Sequence, residues 1–316
     1  MRLAAILPIR NKADLLETCL ASVTAAAQVH GDTQVVLVDN GSTDGSLAIQ
    51  ARYADRCTLV TSTAPRVGGV RNDGARVVPD ADALVFIDCD CDVPATFFHD
   101  VVEVFATSGA AAVGCEVYSP AQGHWSERVW DRLHRPGGDG PRHYINSACF
   151  AIRADWFRRI AGFDATKSSS EDVDICRRLT AAGGTLWQSE RLAILHLGNP
   201  QTVAGLYRRL RWHGEGIWEP GAPVQWSVST ICLVLFPCVT VAGVVIGVHG
   251  LATHPVWAML CLLTAPLVVP LLFVMGRAAQ FRRRVPIVGG VALMLITFVA
   301  RLHGVIRAVR RRTGYF

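Results

Sequence analysis

From Ser227 to Phe316 the chain contains no aspartate, glutamate or lysine, and nine arginines carry all of its full charge. Few features restrict a fold more, because apolar runs of that length must be buried in lipid or in protein. Two uninterrupted apolar segments lie there, Val228 to Val248 and Val256 to Gly276. As helices rising 1.5 Å per residue, each would reach about 31 Å, enough to cross the hydrocarbon core of a bilayer. Pro237, Pro266 and Pro270 fall inside them. Membrane spans tolerate such prolines because neighbouring groups satisfy the freed backbone. A third segment, Val285 to Ala300, reaches only about 24 Å before Arg301 and is expected to be re-entrant or interfacial.

Removing that +9 from the whole-chain net charge of +5 leaves −4 on residues 1–226. The chain divides accordingly into a soluble domain over 1–200, an interfacial helical linker over 201–226 and a membrane region over 227–316. No nucleic-acid partner is expected of so mildly acidic a domain. The loop "HGLATHP" between the first two spans has no arginine, whereas the next carries Arg277, Arg282, Arg283 and Arg284. The positive-inside rule places that second loop, and with it the soluble domain, on the cytoplasmic side of the cell (inner or plasma) membrane. Beyond the third segment, Arg301, Arg307 and Arg311 oppose Leu302, Val305, Ile306 and Val309, as on an amphipathic helix at a lipid surface. The apolar run Leu3 to Leu7 is too short for a signal peptide and reads as a first strand. Ten cysteines occur without a C-x-x-C pair, so buried thiols are expected instead of disulfides.

Within residues 1–200, short β-rich runs such as "AAILPI", "QVVLV" and "ALVFI" alternate with helical patterns. That order predicts an α/β domain of Rossmann-like type, with a mainly parallel sheet, helices on both faces and ligands beyond the carboxyl ends of the strands. Polar clusters follow the strands. In "VLVDNGSTDGS", Asp39, Asn40 and Gly41 also suit an ordinary turn, with Ser42 or Thr43 as a helix cap. In "SSSEDVDICRRL", Ser168 and Glu171 have capping-box spacing, and first-turn acids are favoured by the helix dipole. "ALVFIDCDCDVP" runs five apolar residues into three aspartates. If the strand continues, Asp88, Asp90 and Asp92 share one face, where a divalent cation or full solvation would relieve their repulsion. Hard oxygen ligands suit Mg2+ or Mn2+, and C-x-C without a second cysteine pair lacks the spacing of structural zinc.

Seven motifs in register, "ILPIRN", "VLVDNGSTDGS", "GGVRNDGA", "VFIDCDCDVP", "AIRADWFRRIAGFD", "SSSEDVDICRRL" and "LHLG", give the chain a resemblance to the family 2 glycosyltransferases over about Leu3 to Gly216. The resemblance implies a GT-A nucleotide-diphospho-sugar-binding domain followed by C-terminal transmembrane helices. It implies that Pro8, Asn11 and Asp39 hold the nucleoside, that Arg71 and Asn72 lie near the nucleotide, and that Asp88 and Asp90 form the D-x-D. Asp88 would lie nearer the ribose and Asp90 on an Mn2+ or Mg2+ ion bridging the diphosphate, with His196 completing the metal site. Asp172 would be the catalytic base of an inverting displacement, and Glu171 its support.

"YRRLRWHGEG" resembles the Q-x-x-R-W motif of processive synthases, with Arg208 in place of its glutamine, and makes Arg211 and Trp212 candidate contacts to diphosphate or acceptor. An interfacial basic helix explains the same stretch. The implied partners are a nucleotide-diphosphate sugar and a lipid or glycan acceptor at the membrane. Alternatives are a polyprenyl-phosphate glycosyltransferase, a non-catalytic nucleotide-binding assembly subunit, which the fold alone would permit, and a nucleotidyltransferase.

Overall fold

The runs "LAAILPI" and "TQVVLVD" form the centre of the sheet, and almost every residue in the first is buried whichever way it points. A strand covered on both faces reads as a continuous apolar run. A computed structural model of the chain describes residues 1–134, 137–167, 169–217, 227–281 and 285–313. Its elements are β1 (Leu3–Ile9), α1 (Ala13–His30), β2 (Thr33–Asp39), α2 (Ser46–Ala51), β3 (Cys57–Thr61), α3 (Val67–Arg76), β4 (Ala83–Ile87), β5 (Cys91–Asp92), α4 (Phe97–Ser108) and β6 (Ala112–Tyr118). There follow α5 (Trp125–His134), β7 (Gly140–Arg142), β8 (Cys149–Arg153), α6 (Ala154–Arg159), α7 (Glu171–Ala181), β9 (Leu186–His196), α8 (Val203–Ile217), α9 (Val228–Gly250), α10 (Pro255–Phe281) and α11 (Ile287–Thr313).

They fall into two compact units, one of Met1–Pro120 with Gly137–Gly198, the other of Ala121–Pro136 with Asn199–Phe316. In the first, the strands run in the order β3-β2-β1-β4-β8-β6-β9-β5, with β7 on β9. The pairs β1–β2, β2–β3, β1–β4 and β6–β9 are parallel. Strand β8 runs antiparallel between β4 and β6. The period-two alternation of strand side chains builds two cores. Leu3, Ala5, Leu7 and Ile9 meet Leu16, Leu20 and Val23 of α1 and Phe97 of α4. Ala4 and Ile6 meet Val70 of α3, Phe157 of α6 and Leu179 of α7 on the other face. The seven cysteines of this unit are buried free thiols. Helix α1 stops at Gly31, whose left-handed φ of 77° lets its N–H return to Ala27 O.

Among the described residues of the second unit, three helices are long and apolar enough to cross a membrane: Val228–Gly250, Pro255–Phe281 and Ile287–Arg311. Helices α9 and α10 approach through small residues, and a Cβ at Gly247 would lie 2.6 Å from Leu262 Cγ. The third helix is longer than its apolar run, because α11 continues unbroken through Arg301. Arginine is a good helix former, and α8 supplies polar partners for this half. Arg307 and Arg311 pair with Glu215 at 3.8 and 3.3 Å, and Tyr207 Oη lies 2.9 Å from His303 Nδ1. Gly214 and Gly304 mark where α8 and α11 cross, since a Cβ on either would strike the other's backbone. The first half of α11 instead joins Phe298 to Phe236 of α9 and Phe273 of α10. The arginine-rich residues 282–284 lie outside the described residues.

Candidate active site

The first wall of the site is built where β1 and β2 end side by side, Ile9 opposite Asp39. Pro8 is the last but one residue of β1, opposite Val38. Asn11 takes a left-handed φ of 51°, a conformation asparagine tolerates. Its Oδ1 accepts from the Thr43 N–H at 2.7 Å, and its own N–H donates to Ser42 Oγ at 3.1 Å. Asp39 is buried, accepting from the Ser42 N–H and from Gln50 Nε2, both at 3.1 Å. Burial acts to raise its carboxyl, but hydrogen bonds from Ser42, Gln50 and the Gly41 backbone outweigh burial and hold it below the ordinary carboxylate range.

The aspartates do not line one strand face. Strand β4 stops at Ile87, and the Cys91 N–H donates to Asp88 O at 3.1 Å, closing a turn before β5 begins. A turn points Asp88 and Asp90 at different partners, where a continued strand would have aligned them. Asp88 Oδ1 accepts from Arg71 Nη2 at 2.8 Å. Asp90, buried, has Lys12 Nζ 2.7 Å from Oδ2 and His196 Nε2 3.4 Å from Oδ1. Asp92 stays in β5, opposite Leu195 of β9, and the same pairing sets Cys91 opposite His196.

Potential ligand atoms of Asp90, Cys91 and His196 lie within 4.8 Å of one another. The Cys91 thiol donates to Ala148 O at 3.6 Å, and burial holds it well above its usual value, so a carboxylate and an imidazole are the ready ligands. That donor set fits Mn2+ or Mg2+ better than zinc thiolate chemistry. Gly198, the last residue of "LHLG", explains its own identity: a Cβ there would overlap the Asp90 carboxylate. Gly198→Ala is expected to displace Asp90 and to cost about 1–3 kcal/mol, read by thermal unfolding.

The second wall comes from α7. Ser168 lies outside the described residues, and the N-cap of α7 is Ser170, left-handed at φ 60° and making no side-chain cap hydrogen bond. Glu171 is the first residue of the helix. Its Oε1 accepts from Arg71 Nη1 at 2.8 Å, and Ser147 Oγ lies 3.4 Å away. Arg71, with a side chain only 2% exposed, thus joins Asp88 to Glu171 through its two terminal nitrogens. Asn72 faces elsewhere, holding both the N–H and the carbonyl of Phe163 with its amide.

Asp172 Oδ2 accepts from Tyr144 Oη at 2.6 Å and from the Ser147 N–H at 3.4 Å. Burial and the adjacent Glu171 push its carboxyl above its ordinary value, against the pull of those two bonds and of the Val173 N–H. Removing the phenol in Tyr144→Phe takes away a lowering influence. The acid limb of any activity that needs ionised Asp172 is expected to move to higher pH, as a pH–rate profile would show.

Sequence reasoning missed Tyr144, Ser147 and Lys12, since no spacing ties them to the aspartates they touch. Of the residues it singled out, Asp88, Arg71, Glu171 and Asp172 form one network, and Asp90, two residues past Asp88, joins His196 in a second cluster. Arg211 and Trp212 belong to the helical unit, on α8, where Trp212 is exposed and lies against His213 at 4.9 Å between ring centroids.

Residues 4–161 match the sequence profile described as Glycosyl transferase family 2, and residues 83–298 that of Glycosyl transferase family group 2. The pre-mycofactocin glycosyltransferase of Mycobacterium tuberculosis is 25% identical over 227 residues, 66% of this chain and 46% of that one. The succinoglycan biosynthesis protein ExoA of Rhizobium meliloti is 24% identical over 226 residues, 67% of each chain. The chain therefore spans about half the length of the first relative. Among solved structures, the mannosyltransferase PcManGT from Pyrobaculum calidifontis in complex with GDP-Man and Mn2+ superposes with a TM-score of 0.61 at 17% identity, covering 98% of this chain and 88% of that one. S. aureus TarS 1-349 superposes with a TM-score of 0.51 at 14% identity, covering 99% and 92%. Likeness at these identities speaks for the fold, which is the GT-A fold expected from the motif order. With the two profile matches running from β1 into α11, the chain belongs to the family 2 glycosyltransferases.

Proposed function

We propose that this glycosyltransferase moves a sugar from a nucleoside-diphosphate donor to an acceptor hydroxyl at the cytoplasmic face of a membrane, by a single inverting displacement. The observation that carries the reading is the Arg71 bridge, which ties the D-x-D aspartate Asp88 to Glu171, the neighbour of Asp172. Donor-side and acceptor-side carboxylates then serve one site. Asp172 takes the acceptor proton as that oxygen attacks the anomeric carbon; its raised carboxyl makes it a stronger base than an ordinary aspartate. Glu171 and Arg71 hold the loop ends in place. Asp39, Asn11 and Pro8 line the end of the sheet where the nucleoside is expected.

Asp90 and His196, with Asp88 beside them, are the residues that would hold Mn2+ or Mg2+. A divalent cation there would neutralise charge developing on the departing diphosphate. The relative from Pyrobaculum calidifontis, solved with GDP-Man and Mn2+, supports this class of donor and metal. The three apolar helices support an acceptor presented at the bilayer, such as a lipid or a lipid-linked glycan. Arginines after the second span support a cytoplasmic catalytic domain. Purified chain incubated with UDP- and GDP-sugars and Mn2+ is expected to release nucleoside diphosphate. Release unchanged in both Asp90→Ala and Asp172→Asn would sink the reading.

A further inference from the structure

Lys12 follows Asn11 on the loop after β1, and its ammonium sits 2.7 Å from Asp90 Oδ2, on the carboxylate assigned above to a divalent cation. Its backbone is fixed: the Lys12 N–H donates to Ser46 Oγ at 3.0 Å, and its carbonyl accepts from the N–H groups of Leu15 and Leu16. Its side chain is 34% exposed, against 8% for Asp90. A lysine ammonium is charged at neutral pH.

A cation held between Asp90 Oδ1 and His196 Nε2 would share the carboxylate whose Oδ2 meets this ammonium, and two positive charges that close repel. A lysine that left Oδ2 when a cation entered would relieve that repulsion. Lys12 adjoins Asn11 at the end of the sheet, the side on which the nucleotide is expected. The anion such a ligand brings there is its diphosphate, and lysine is a mobile point charge suited to phosphate.

We propose that Lys12 is a charge placeholder: it occupies Asp90 while the site is free of metal and transfers to the donor's diphosphate, so that metal and nucleotide bind in a coupled way. The proposal rests on the metal and donor reading above. Its signature is two opposite changes in one variant. In Lys12→Met, Mn2+ alone is expected to bind about tenfold tighter, one charge–charge interaction of about 1.4 kcal/mol. In the same variant, UDP and GDP without metal bind about tenfold weaker, whichever of the two the chain accepts. Lys12→Arg, which keeps the charge, stays near the parent on both counts.

Free Mn2+ counted by electron paramagnetic resonance, and metal-free nucleotide binding by calorimetry, read the two arms, with Asp90→Ala as the site control. Equal Mn2+ affinities in the parent and Lys12→Met, both abolished by Asp90→Ala, would overturn the placeholder and leave the metal site standing. Absence of Asp90-dependent Mn2+ binding in every variant would overturn both. A variant that weakens both ligands together, or fails to unfold cooperatively like the parent, would mark Lys12 as merely structural and overturn the proposal.

Discussion

Asp172→Asn is expected to lower turnover by about 10²–10⁴-fold, the range general-base catalysis supplies, while leaving donor binding near the parent value. Asparagine keeps the shape and can still face Tyr144, but it cannot accept the acceptor proton. The pH dependence follows from the direction of the shift. Burial and Glu171 raise the Asp172 carboxyl, so its protonation begins at a higher pH than for an exposed aspartate, and activity falls as pH drops through that raised value. The acid limb should therefore lie above the ordinary aspartate range near 3.9, and higher still in Tyr144→Phe. Initial rates against pH at saturating donor would check both. A drop well short of tenfold in Asp172→Asn would indicate an acceptor already ionised, such as a lipid phosphate, and would replace the hydroxyl reading.

The second large effect is on stability. Arg71 is buried with its two terminal nitrogens committed, one to Asp88 and one to Glu171, so Arg71→Met leaves two acids facing each other without their counter-charge. Breaking a buried pair in this way costs about 3–5 kcal/mol. Asp88 retains 32% exposure and can recover some hydration, whereas Glu171, at 9%, cannot, so most of the loss should trace to Glu171. Denaturant unfolding of the purified chain should show the loss in Arg71→Met and part of it restored in Arg71→Met/Glu171→Gln. Arg71→Lys is expected to fail nearly as badly, since one ammonium cannot span two carboxylates as a planar guanidinium does. Full stability in Arg71→Met would show that the bridge contributes nothing.

Much of the first unit was readable in advance. The apolar runs at β1, β2 and β4 are local signals, and the polar clusters after them fall at strand ends as the βαβ order requires. The aspartate run marks the end of a strand, and it leaves open whether the strand continues or turns. Alternation along three aspartates is equally consistent with a strand and a turn, and the Asp88 backbone decides it by engaging Ala148 O and the Cys91 N–H. Ser168 and Glu171 have the spacing of a capping box, a local signal that carries no trace of Arg71, the charged partner of Glu171. The third apolar segment belongs to a helix that continues past Arg301, where Glu215 of α8 answers two of the arginines that follow.

By itself the sequence determined the fold class, the order of the motifs and the apolar stretches long enough to cross a membrane, because each depends on which side chains a short window must hide from water. Tertiary structure alone decided which acids meet which bases. Arg71 and Glu171 are 100 residues apart, and Lys12 and Asp90 are 78. The antiparallel strand β8, with Cys149 opposite Ile87, carries Tyr144 and Ser147 to the end of β4. Periodicity records which face of an element is buried; it does not record which strand will lie beside it, and the chemistry of this site lies in that adjacency.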